Sequence, residues 1–124
     1  MKPRRTPKKS APTAKRRSPC PIACGLDLFG DKWTMLVIRD LILGKNSFKD
    51  FVTGPEKVPT NILSERLKRL MDAGMIGQAK VETDGRRLSY HLTDKGESLR
   101  PVLIAMRDWG LEWIPGTAAK RNQG

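Results

Sequence analysis

The 124-residue chain carries two thiols, Cys20 and Cys24, in C-x-x-x-C spacing, with Cys20 directly before Pro21. In a helix that spacing puts both side chains on one face, a turn apart. A helix N-terminus and a basic neighbourhood favour thiolate, the form that attacks electrophiles and is oxidised. A thiol so placed would be reactive. The alternative is an inert surface thiol at Cys20 and a small apolar side chain at Cys24. Two sulfurs and the single, distant His91 do not make a tetrahedral set, so no metal or other cofactor is expected. Asp27, Asp31 and Asp40 are scattered and form no carboxylate pair. The chain has no phosphate-cradling glycine motif and no nucleophile with a base and an orienting group. It reads as a non-enzyme, and the cysteine spacing also argues against a thiol oxidoreductase.

A different chemistry lies in "PTNILSERLKRLMDAGMI", residues 59–76. At about 100° per residue, Ile62, Leu63, Leu67, Leu70 and Met71 crowd one side of a helix. Asn61, Ser64, Glu65, Lys68 and Arg69 take the other, with Thr60 and Arg66 on the flanks. Asn can bind adenine in bidentate fashion, Arg or Lys can engage guanine, Glu can accept from cytosine, and Ser or Thr can reach bases or phosphate. Taken alone, such a face is more often a solvated surface. Arg86 and Arg87, beside Asp84-Gly85, change the balance, because a basic hairpin tip could touch phosphates or a minor groove. Their bland reading is a charged tip kept soluble, with Arg87 paired to Glu82.

The elements that would position these side chains follow from periodicity. Ile22, Leu26 and Phe29 give a first helix that Gly30-Asp31 stops. "KWTMLVIRDLILG" is apolar nearly all round and reads as a buried helix ended at Gly44. Ser47 caps a short helix "FKDFV", with Asp50 at its third position and Phe48, Phe51 and Val52 inward. "TGPEKVP" is a turn, and the helix of residues 60–71 follows, closed by Gly74. A hairpin centred on Asp84-Gly85 then pairs Val81 with Leu88, Ala79 with Tyr90 and Gly77 with Leu92 on one face. In that register Lys80 faces Ser89, and Gln78 faces His91. Thr93 caps the last stretch, and Pro101 forces a kink or a fresh helix. Val102, Met106, Trp109 and Trp113 form one stripe there, with Leu103, Ile104, Leu111 and Ile114 off it. So much apolar surface suits two interfaces, the chain's own core and a second copy.

Lys plus Arg number 24 against 13 Asp plus Glu, a formal net charge of +11. Residues 1–19 hold eight of the basic residues and no acidic one. That stretch is expected to be a disordered basic tail rather than a secretory signal. The balance points to an anionic partner, above all nucleic acid. No stretch approaches the roughly 20 apolar residues of a membrane span, so a cytoplasmic protein with no membrane partner is expected.

The order helix, helix, short helix, turn, helix, hairpin, helix defines a mostly helical α+β winged helix-turn-helix. "CPIACGLDLFGDKWTMLVIRDLILG", "SFKDF", "VPTNILSERLKRLMDAGMI", "RRLSYHLTDKGESLRPVL" and "WGLEW" together resemble the HxlR-type winged-helix transcription regulators, relatives of the MarR-like group. The resemblance covers about residues 20–113. It implies a bacterial or archaeal homodimer, built from the first and last helices and binding an inverted repeat in a promoter or operator. It also implies a sensor role for a cysteine placed as Cys20 is, before proline. The basic extension is not part of that pattern.

The domain expected is 20–114, with a frayed tail at 115–124 and a C-terminal dimerisation helix. The DNA-contacting set is Ser47, Thr60, Asn61, Ser64, Glu65, Arg66, Lys68, Arg69, Arg86 and Arg87. The dimer set is Ile22, Leu26, Leu103, Met106, Trp109 and Trp113. The function expected is a sequence-specific, nucleoid-associated repressor acting on double-stranded DNA, with a small-molecule or oxidant inducer as a further partner. The alternative is an architectural nucleic-acid coater driven by the tail, with little sequence preference and a steep salt dependence.

Overall fold

The computed structural model describes residues 17–119. Most of the expected basic tail, residues 1–16, and the last five residues lie outside them. In chain order the elements are α1 (Pro21–Phe29), α2 (Thr34–Ile42), α3 (Phe48–Val52), α4 (Thr60–Asp72), β1 (Ile76–Val81), β2 (Asp84–Leu92), α5 (Asp94–Glu97) and α6 (Arg100–Trp113).

The helix boundaries follow local chemistry. Cys20 is the N-cap of α1, Pro21 opens its first turn and Gly30 closes it. The Ser47 hydroxyl accepts the Asp50 N–H at 3.1 Å, and the Asp50 carboxylate accepts the Asn46 N–H at 3.3 Å, a reciprocal cap on α3. Gly74 ends α4 at φ +76°, a conformation that glycine adopts without steric cost. The Thr93 hydroxyl donates to the Gly74 carbonyl at 2.6 Å and accepts the Gly96 N–H at 3.2 Å, while Lys95 Nζ donates to the Ala73 carbonyl at 2.8 Å. These bonds satisfy carbonyls that the end of α4 would otherwise leave open. Pro101 sits in the first turn of a fresh helix, α6.

One core joins the middle of the chain. Met35, Val37 and Ile38 of α2, Phe51 of α3 and Leu63, Leu67 and Leu70 of α4 are buried with Met75, Ile76, Tyr90 and Leu99. Neither α1 nor α6 contains a buried residue. Leu28, Phe29 and Leu103 rest against the core from outside.

The hairpin departs from the expected register by one residue. Ile76 pairs with Leu92, Gly77 with His91, Gln78 with Tyr90, Ala79 with Ser89 and Lys80 with Leu88; Val81 then pairs with Asp84 across a Glu82-Thr83 turn. The turn is therefore not centred on Asp84-Gly85, and Glu82 lies in it rather than opposite Arg87. Gly85, Arg86 and Arg87 form a bulge on β2 with no β1 residue opposite them. The physical reason lies at the hairpin's base. The expected register put small Gly77 and Ala79 beside Leu92 and Tyr90. The observed one lets Ile76, 3 % exposed, share the core face with them. His91 stays on the outer face but lies over Gly77, where an added Cβ would come within 2.7 Å of its Nε2.

The start of the expected frayed tail is ordered against α6. Thr117 Oγ1 donates to the Ile114 carbonyl at 2.8 Å and the Gly110 carbonyl at 3.1 Å.

Candidate nucleic-acid interface

α3, the Thr53–Pro59 turn and α4 bring one polar face to the surface, with the hairpin beside it. Leu63, Leu67 and Leu70 bury one side of α4, so Asn61, Ser64, Glu65 and Lys68 are exposed on the other. Thr60 is exposed in its first turn, and no acidic residue lies in that turn. Lys68 makes only a surface pair with Asp72, at 3.2 Å. Arg86 and Arg87 are exposed on the β2 bulge, and neither joins an ion pair among the described residues. Ser47 is half-buried, its hydroxyl committed to capping α3.

Arg66 and Arg69 are placed differently. Arg66 Nε donates to Asp31 Oδ2 at 2.8 Å, and its Nη1 donates to Glu65. Arg69 Nη1 donates to the Leu28 carbonyl at 3.3 Å and lies 3.8 Å from Asp31 Oδ1. Asp31 also accepts the N–H groups of Trp33 and Thr34 at 3.0 and 3.1 Å and the Thr34 hydroxyl at 2.5 Å. Partial burial pushes the Asp31 carboxyl up. Hydrogen bonds from Thr34, Arg66 and the backbone outweigh this and hold it well below the usual carboxylate range.

A second polar cluster holds the turn. Arg39 of α2 donates to both Glu56 oxygens at 2.9 and 2.8 Å, and also to Asp40, which is buried. The bond from Arg39 holds the Glu56 carboxyl below its ordinary value against the opposing effect of burial. Sequence reasoning missed both clusters. Gly30-Asp31 before an apolar run does carry a capping signal, but nothing local in the sequence joins Asp31 to residue 66 or Arg39 to residue 56.

At the start of α1, Cys20 is exposed and Cys24 half-buried. The Cys24 N–H donates to the Cys20 carbonyl at 2.9 Å, so the two lie one helical turn apart. The Cys24 thiol donates to the Ser18 carbonyl at 3.3 Å. Of the expected dimer set, Ile22, Leu26, Met106, Trp109 and Trp113 are exposed, the first at 72 % and the last two at 61 % and 67 %, whereas Leu103 turns to the core. Between α1, α2 and α6 an open apolar cleft of about 250 Å³ is lined by Leu26, Phe29, Met35, Leu36 and Met106, with Asp31 and Lys32 at its edge. Among the described residues no cluster of three or more His, Cys, Asp or Glu could hold a metal, and no helix is long and apolar enough to cross a membrane.

Two helices about a tight turn, the second with an exposed polar face, and a hairpin alongside define a winged helix-turn-helix. Residues 28–118 match the family described as HxlR-like helix-turn-helix, and the chain belongs to that family. It is a transcriptional regulator, in a family of regulators rather than enzymes. YvaP of Bacillus subtilis strain 168, an uncharacterised HTH-type transcriptional regulator, is 32 % identical over 89 residues, covering 72 % of this chain and 82 % of its own. The crystal structure of PA1607, a candidate transcription factor, matches with a TM-score of 0.75 at 35 % identity, over 88 % of this chain and 80 % of that one. The redox regulator HypR in its oxidised form matches with a TM-score of 0.67 at 26 % identity, over 75 % of this chain and 96 % of that one.

Proposed function

We propose that the chain is a homodimeric, sequence-specific DNA-binding repressor of the bacterial or archaeal cytoplasm whose binding responds to thiol oxidation. The observation that carries this reading is the exposed polar face of α4 beside the unpaired arginines of the β2 bulge. Asn61, Ser64, Glu65 and Lys68 offer donors and acceptors to base edges in a major groove, while Thr60, Arg86 and Arg87 meet phosphates. The apolar outer faces of α1 and α6 serve a second copy. A twofold dimer reads an inverted repeat, and a dimer seated on a promoter blocks transcription. The exposed Cys20 at the start of α1, together with the likeness to a redox regulator, supports a thiol response at this helix.

The test is fluorescence anisotropy at about 0.15 M salt, where screening limits long-range charge effects. The chain is measured on a duplex recovered by selection from a random-sequence pool and on a scrambled duplex of equal length. A preference of about 10³ or more, the lower bound for specific readers, supports the reading. Equal affinity with a steep salt slope supports instead a sequence-blind coater driven by the +11 charge.

A further inference from the structure

We infer that Asp31 is a positioning residue for α4, acting through Arg66, and that Arg66 does not itself contact DNA. This rests on the DNA-reading role proposed above and adds to it what sets the reader's orientation.

At about 100° per residue, Arg66 falls between Ile62 and Leu70, on the core side of α4. Its side chain is only 16 % exposed. A charge so placed needs a fixed partner, and Asp31 Oδ2 supplies one at 2.8 Å from Nε. Asp31 is itself immobilised. Two backbone N–H groups and the hydroxyl of Thr34, which is fully buried, hold both carboxylate oxygens. A continuous polar chain thus runs from the first turn of α2 through Asp31 to the middle of α4. A second attachment lies three residues on, where Arg69 donates to the last turn of α1 at Leu28. One attachment fixes a point on a helix. Two on successive turns also fix its roll, which decides where Asn61, Ser64 and Lys68 point. The carboxylates of Asp31 and Glu65 face both Arg66 and Arg69 and balance the two charges, so the pair works by geometry rather than by attraction to phosphate.

The experiment compares wild type, Asp31→Asn, Arg66→Met and the double variant on the selected and scrambled duplexes, each across a salt series. Methionine keeps the apolar stem at this core-flanking position. The proposal expects each single variant to lose about tenfold or more on the selected duplex, the cost of misreading one base pair. It expects the double variant to be no worse than the weaker single, with scrambled-duplex affinity and salt slope unchanged. It is overturned if Arg66→Met weakens both duplexes alike and lowers the salt slope by about one. It is also overturned if Asp31→Asn tightens binding by releasing Arg66, or if either single variant matches wild type. Where Asp31→Asn does not fold by circular dichroism, the salt slope and scrambled-duplex affinity of Arg66→Met decide between the same outcomes. Failure of the DNA-reading role itself is seen in wild type alone, as no preference for any selected sequence, and it removes this inference as well.

Discussion

Tyr90 donates its backbone N–H to the Asn46 carbonyl at 2.9 Å and sets its ring 6.2 Å from that of Phe51, tilted by 53°. One residue of β2 therefore fixes the wing to both the entry and the inner face of α3. The tilted ring geometry is one that aromatic pairs prefer. Tyr90→Ala should cost about 3–5 kcal/mol, the range for removing a large buried aromatic. A lowered urea midpoint with an unchanged m-value would confirm it.

Acid stability should follow the anchored carboxylates. Asp31 is held well below the ordinary range, its hydrogen bonds overcoming burial, and Asp50 and Glu56 are lowered too, chiefly by the Asn46 N–H and by Arg39 respectively. The unfolded chain takes up protons near about pH 4, where these groups hold their protons less readily in the folded protein. Their contribution is complete above about pH 5 and is lost as pH falls through the folded values. Urea midpoints across this range should decline on the acid side. Asp31→Asn should flatten that decline and cost about 1.5–3 kcal/mol at neutral pH, the range for a charged hydrogen bond.

The two thiols should react in order. Cys20 is exposed, while Cys24 is half-buried with its thiol bonded to Ser18. Brief iodoacetamide treatment followed by peptide mass mapping should find Cys20 alkylated first. Diamide should weaken binding to the selected duplex, and Cys20→Ser should abolish that response. Equal binding by reduced and oxidised wild type would remove the sensor role.

Trp109→Glu combined with Trp113→Glu should leave a folded protomer by circular dichroism, because both side chains lie outside the core. In sedimentation velocity the same variant should run as a monomer where wild type runs as a dimer. Its affinity for a palindromic duplex should fall toward that for a single half-site.

Much of the fold is legible because its signals are local. Ser47 with Asp50, Gly74, Thr93 and Pro101 mark ends that the structure reproduces, and the spacing of Leu63, Leu67 and Leu70 gives the buried side of α4. The hairpin was legible as a hairpin but not in its pairing. Asp84-Gly85 is a strong turn signal, yet placing Ile76 in the core outweighs it, and the glycine and two arginines are displaced into a bulge. Arg66 shows the same limit at the site. Its type suggests a DNA contact; helical spacing already puts it between Ile62 and Leu70, but the partner that holds it, Asp31, lies 35 residues earlier and no local pattern reveals it. The Arg39–Glu56 clamp escaped for the same reason.

The core closes without a buried residue from either α1 or α6. The surface that the proposed dimer would use is therefore nearly separate from the residues that maintain the fold. Related copies within one genome could change partners through substitutions at Ile22, Met106 or Trp113 at little cost to folding. Discrimination between self and paralogue would then rest on differences in pairing affinity across those positions.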